Sequence, residues 1–167
     1  MSKYVNATSD KNNPTFYVNR GDFTFDPEME TIEGLKKGGE FEVKKCPKGM
    51  EVEIDPEHDM TVKPFDEGIS IGALGAKPFG DLPREDRNEG EYEMQVSPVD
   101  INGSIDWVQL EDTHPLVKPG TYLAIDTDPS KFAVSSVETD VIALEKRIEN
   151  ETGFLYVYRR GQTSKKQ

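Results

Sequence analysis

Two histidines (His58 and His114), one cysteine (Cys46) and 32 Asp and Glu are the side chains from which acid–base, nucleophilic or metal chemistry would have to be built. A lone cysteine forms no intramolecular disulfide and supplies no paired-thiolate zinc site. His58 and His114 would therefore need carboxylates to complete a metal shell. Cys46 precedes Pro47 in no nucleophile motif and reads as a packed residue. Neither a Gly-x-Ser-x-Gly elbow nor a His-Glu-x-x-His helix occurs. A glycosidase needs two carboxylates at a defined separation, and nothing in the spacing selects a pair from so many acids. No catalytic residue, cofactor-binding residue, metal ligand or cofactor is assigned.

Three local patterns still carry a chemical reading. Glu51, Glu53, Asp55, Glu57 and Asp59 fall at alternate positions. On one continuous strand all five would project from one face, as a cation site or an acidic docking stripe. Pro56 interrupts such a strand, and the simpler expectation is a solvated face that discourages edge-to-edge association. Asp126-Thr127-Asp128-Pro129-Ser130 opens like an EF-hand loop. Its sixth position is Lys131 instead of Gly and its twelfth is Val137 instead of Glu, so a turn tied by Asp side chains is expected. The glycines of the apolar run from Gly68 to Ala76 could cradle a phosphate, but no Gly-Lys-Ser/Thr follows. A strand with a bulge or a close neighbour is the better reading. The glycosylation-type triplets at Asn6, Asn102 and Asn150 read as chance matches.

Period-two alternation dominates the elements that must position these groups. Phe16 to Val18, Phe23 to Phe25, Glu40 to Lys45, Met50 to Ile54, Glu91 to Val96, Thr121 to Ile125, Lys131 to Val134 and Phe154 to Tyr158 all read as strands. The first two form a short hairpin across Asn19-Arg20-Gly21. Met50, Val52 and Ile54 face the core, as do Tyr92, Met94 and Val96. Asn102-Gly103 between Ile101 and Ile105 predicts a two-residue type I′ hairpin, because both turn positions accept positive φ. Val137 to Asn150 fits a helix or a strand, and a strand breaking into a charged loop is favoured. Lys77 to Gly90 reads as a long exposed loop. No repeat appears at the roughly 20–50-residue spacing of solenoids. The expected fold is all-β, a barrel or sandwich of short antiparallel strands with long loops and at most one short helix.

Net charge is −12, divided as −5 over residues 1–84 and −7 over residues 85–167, so neither half stands out as an acidic or basic domain. Such an acidic chain is not expected to bind nucleic acid. No apolar run approaches the roughly 20 residues of a membrane span, and no basic-then-apolar start suggests a signal peptide. Residues 1–14 are read as a flexible N-terminal arm, 15–160 as a single β-rich domain and 161–167 as a flexible tail. Tyr4 and Val5 are the arm's candidate partner-binding residues, since they are apolar anchors in a polar segment.

The run Ile69 to Ala76, then Val117-Lys118-Pro119-Gly120-Thr121-Tyr122-Leu123, Val141-Ile142-Ala143-Leu144-Glu145 and Phe154-Leu155-Tyr156-Val157-Tyr158, resembles the small β-rich decoration (cement) proteins of tailed bacterial viruses. The resemblance covers about residues 68–160. It implies a non-enzymatic virion protein, assembled in the host cytoplasm, that binds the major capsid protein and itself, as a homotrimer, on the outer capsid lattice. The alternative is a small-ligand-binding or hydrolytic β-barrel, with the acidic stripe and the Lys77–Gly90 loop at its mouth.

Overall fold

The computed structural model describes residues 14–19, 29–32, 41–79 and 95–161. All regular elements among them are strands: β1 (Thr15–Val18), β2 (Met29–Ile32), β3 (Phe41–Lys44), β4 (Glu51–Ile54), β5 (Thr61–Pro64), β6 (Ser70–Leu74), β7 (Gln95–Ile101), β8 (Gly103–Gln109), β9 (Tyr122–Ile125), β10 (Phe132–Val134), β11 (Val141–Ala143) and β12 (Phe154–Arg160). The fold is all-β. The ambiguous stretch near residue 140 is the short strand β11 followed by irregular chain, as favoured above. The arm with Tyr4 and Val5, the Phe23–Phe25 strand and most of the Lys77–Gly90 loop lie outside the described residues.

Five strands close a barrel in the order β1-β5-β4-β6-β7, with β1 and β5 parallel and the other pairs antiparallel. Five more form a sheet in the order β10-β9-β11-β12-β8. That sheet curls until Leu110, just past β8, bridges Phe132 of β10 in parallel. The two rings are thus connected identically: first strand to third, third to second, second to fourth, fourth to fifth, fifth back to first. The antiparallel pair β2–β3 falls between β1 and β4 in chain order and forms a separate two-stranded sheet.

Register matches as well as order. Val52 pairs with Gly72 as Leu123 pairs with Val141, and Gly72 pairs with Ile101 as Val141 pairs with Arg159. Phe16 pairs with Ser97 as Val108 pairs with Leu155, and Val18 pairs with Val62 as Leu110 pairs with Phe132. Both second strands are launched by the same turn. Gly49 and Gly120 have φ of +89° and +96°, a conformation open to glycine at little cost. Met50 N donates to Pro47 O (3.1 Å) as Thr121 N donates to Lys118 O (3.0 Å).

The second unit's interior is Val108, Leu110, Val117, Leu123, Val141, Ala143, Leu155 and Val157. The equivalent set fills the first unit, including Phe16, Val18, Cys46, Val52, Leu74 and Val99. That cluster also runs outward to take in Ile105, Ile142, Leu144, Tyr156 and Tyr158 from the outer face of the second unit. Strands β11 and β12 are therefore buried on both faces, which explains the near-continuous apolar runs Val141–Leu144 and Leu155–Tyr158.

The Asn102-Gly103 hairpin is corrected. Strand β7 has β1 and β6 as neighbours and β8 has β12, so the strands flanking Asn102-Gly103 do not pair. Neither residue has positive φ. Both edges of β7 are taken by barrel closure, and that tertiary pairing overrides the local turn preference. Asn102 is instead the crossing from one unit to the other: its N–H donates to Ile71 O (2.9 Å) and its carbonyl accepts from Gly161 N (2.8 Å). Gly103 is needed for another reason, because a Cβ there would collide with the carbonyl of Arg159.

Candidate functional site

The alternating acids do not form a solvated face. Strand β4 sends Val52 and Ile54 into the core, and the opposite residues, Glu53 and Asp55, are also buried. Loops on either side fold back and donate to them. Glu53 Oε1 accepts from Asp66 N (2.6 Å) and Gly68 N (2.9 Å), and Lys63 lies 3.7 Å from Oε2. Asp55 accepts from Asn19 Nδ2 (2.8 Å) and Glu57 N (2.9 Å), with His58 Nδ1 at 2.9 Å. Burial pushes the Asp55 carboxyl up. The bonds from Asn19, Glu57 and His58, with the charge of His58, outweigh it and hold the group below its ordinary value.

The remaining acids of the run point to separate partners. Glu51 accepts from Ser70 Oγ (2.6 Å), Glu57 pairs with Lys118 (3.3 Å), and Asp59 Oδ1 accepts from Lys146 N (2.8 Å). Five acids thus fasten four stretches of chain. Among the described residues no group of three or more His, Cys, Asp and Glu is placed to hold a metal ion.

The other candidates resolve into structure in the same way. Cys46 is buried in the first unit's core. His114 is buried in the second unit, its ring nitrogens 2.7 Å from Pro115 O and 2.8 Å from Glu151 O. Asp128 Oδ1 accepts from the amide (2.9 Å) and hydroxyl (2.7 Å) of Ser130, the expected tied turn, and those two bonds lower its pKa. Gly72, at φ +148°, lies where β4 and β6 slip register, and a Cβ there would meet the carbonyl of Asp100. The bulge and close neighbour expected of the Gly68–Ala76 run are both present.

One feature was missed from sequence. Trp107 of β8 is 51% exposed and Phe154 of β12 is 45% exposed. Their rings lie 5.0 Å apart, and Trp107 also stacks over the buried Tyr156 at 6.1 Å. Direct pairing of Trp107 with Tyr156 sets this ledge across the β8–β12 strand pair. The Trp107 backbone N–H donates to Asp106 Oδ1 (2.8 Å), while Oδ2 accepts from Arg159 Nε (2.8 Å). The equivalent positions in the first unit are Thr15 and Val96, so the ledge is not part of the shared framework. The available signal was the chain's single Trp, alternating with Ile105 on a strand whose inner face was already supplied.

The chain matches no protein-family model, no curated protein and no solved structure.

Proposed function

We propose that the protein is a non-enzymatic virion structural protein that docks on the outer surface of a capsid lattice, and that it docks through the Trp107–Phe154 ledge. The ledge is the observation that carries this reading. Two large aromatic rings packed side by side in the open on a rigid strand pair present apolar area with little entropy to lose, the profile of an interface anchor. The chain's negative charge keeps free copies apart before assembly, and many weak contacts on a lattice add to firm attachment. The partners in this reading are the major capsid protein and further copies of the chain, with the trimer as the expected oligomer. The alternative, a small-ligand-binding or hydrolytic barrel, has the acids of the 51–59 run at its mouth, and their carboxylates are engaged with separate partners of the chain.

Co-sedimentation with purified particles tests the proposal. Trp107→Ala and Phe154→Ala should each weaken attachment about tenfold or more while leaving the thermal midpoint within a few degrees of wild type. Unchanged retention of both variants would remove the ledge from the mechanism. Failure of the wild-type chain to bind any particle would remove the virion reading itself.

A further inference from the structure

The seam between the two units has a direction. On the first unit it is made by the turn after β4: the fully buried Met60 donates through its N–H to Leu144 O (2.8 Å), Asp59 holds Lys146 N, and Glu57 pairs with Lys118. On the second unit it is made by the outer face of the sheet, where Ile142 and Tyr158 are buried in the shared cluster and Tyr122 packs at its border. The turn of one unit meets the sheet of the other, and these are not equivalent positions. Such head-to-tail contacts propagate: one unit's free turn and the other's free sheet are complementary by construction, giving rings or filaments unless something prevents it.

At the outer ends the chemistry has changed. Matching ladder registers place Ala73 of the first unit where the second has Ile142, Glu51 where it has Tyr122, and Asp100 where it has Tyr158. Two of those three are exposed acids. The free turn of the second unit, residues 126–131, offers Ser130 and Lys131 where the first unit has Met60. Its Lys131 N–H is bonded internally to Asp128 O (3.1 Å), unlike the Met60 N–H that reaches across. Asp128, in the position of Glu57, faces no lysine at the position of Lys118, which is Pro47.

We infer that the chain is a tandem duplication of one five-stranded barrel whose head-to-tail contact is used once, inside the chain, both outer ends being closed to further copies by Glu51, Asp100 and Lys131. Identical ring order, identical registers and the same Gly49/Gly120 turn carry the duplication. Replacement of Met60, Tyr122, Ile142 and Tyr158 by smaller or charged residues at the free copies of the seam carries the closure.

Two full-length variants test it. In the first, Glu51→Tyr, Ala73→Ile and Asp100→Tyr reopen the sheet end. In the second, the sequence of residues 55–61 replaces residues 126–131 and reopens the turn end. By analytical ultracentrifugation each variant alone should keep the wild-type mass, and an equimolar mixture should form a one-to-one complex, at least tenfold tighter than any wild-type association. A mixture showing no added mass, or either variant alone associating as strongly as the mixture, overturns the inference. If a heavy variant unfolds by circular dichroism, Asp100→Tyr in one chain and Lys131→Met in the other repeat the test. A mixed mass equal to wild type at the highest concentration then counts against it too.

Discussion

Glu53 and Asp55 have more effect on this chain's stability than any acid in the open. Removing Glu53 (Glu53→Ala) takes away the charged acceptor shared by the Asp66 and Gly68 amides, at a cost of about 1.5–3 kcal/mol, read as a lower denaturant midpoint. Asp55 gives the chain an acid-sensitive clasp. Its folded pKa lies below the unfolded value of about 3.9, so its stabilisation is whole above about pH 4 and is lost as pH falls through the folded value. Asp55→Asn should lower stability at neutral pH and flatten the decline seen on acidification, which melts from pH 6 down to pH 2 would show. Gly103→Val should destabilise by about 1–3 kcal/mol through collision with Arg159. The alternation of these acids was legible in the sequence, but their burial was not. Burial depends on which distant amides fold back, and Asn19, Asp66 and Gly68 carry no local mark of it.

Strand β12 is the element on which both units' cores depend. It is hydrogen-bonded to β8 and β11, and it sends Leu155 and Val157 to one cluster, Tyr156 and Tyr158 to the other. Leu155→Ala should cost about 2–5 kcal/mol, measured by denaturation, and the amides of residues 155–158 should exchange with deuterium more slowly than those of the three-residue edge strand β10. Burial raises the pKa of the Tyr158 phenol, opposed by the charge of Arg160. In a spectrophotometric titration this tyrosine should ionise after the exposed ones. Its stabilising effect is present at neutral pH and lost as pH rises through the raised value. Most strands could be read from period-two alternation because one face of each meets a core. The Asn102-Gly103 pair misled because turn preference is worth little once both edges of β7 are filled by barrel closure. The repeat was hidden for a related reason. Equivalent strands stand 92, 71, 70, 69 and 58 residues apart, so no single shift of the sequence on itself superimposes them. Most interior positions stay apolar, and the Gly49/Gly120 turn is kept, but little else is.

The shared cluster makes the two units one cooperative body. Calorimetry should show a single transition with matching calorimetric and van't Hoff enthalpies; two resolved transitions would mean that the seam is weaker than either core. In the particle-binding reading, deletion of residues 2–13, which removes Tyr4 and Val5, should weaken attachment while leaving that transition in place. Any trimer must be built from faces other than the closed ends of the tandem and the Trp107–Phe154 ledge that the proposal gives to the lattice. The chain's one cysteine is sealed inside the first unit, and its one tryptophan is stacked on the rim of the second. Each half therefore has its own built-in clock: thiol labelling of Cys46 counts openings of the first barrel, while the fluorescence of Trp107 follows the second. Whether the halves open together, as one cooperative body must, can be timed on the unmutated protein.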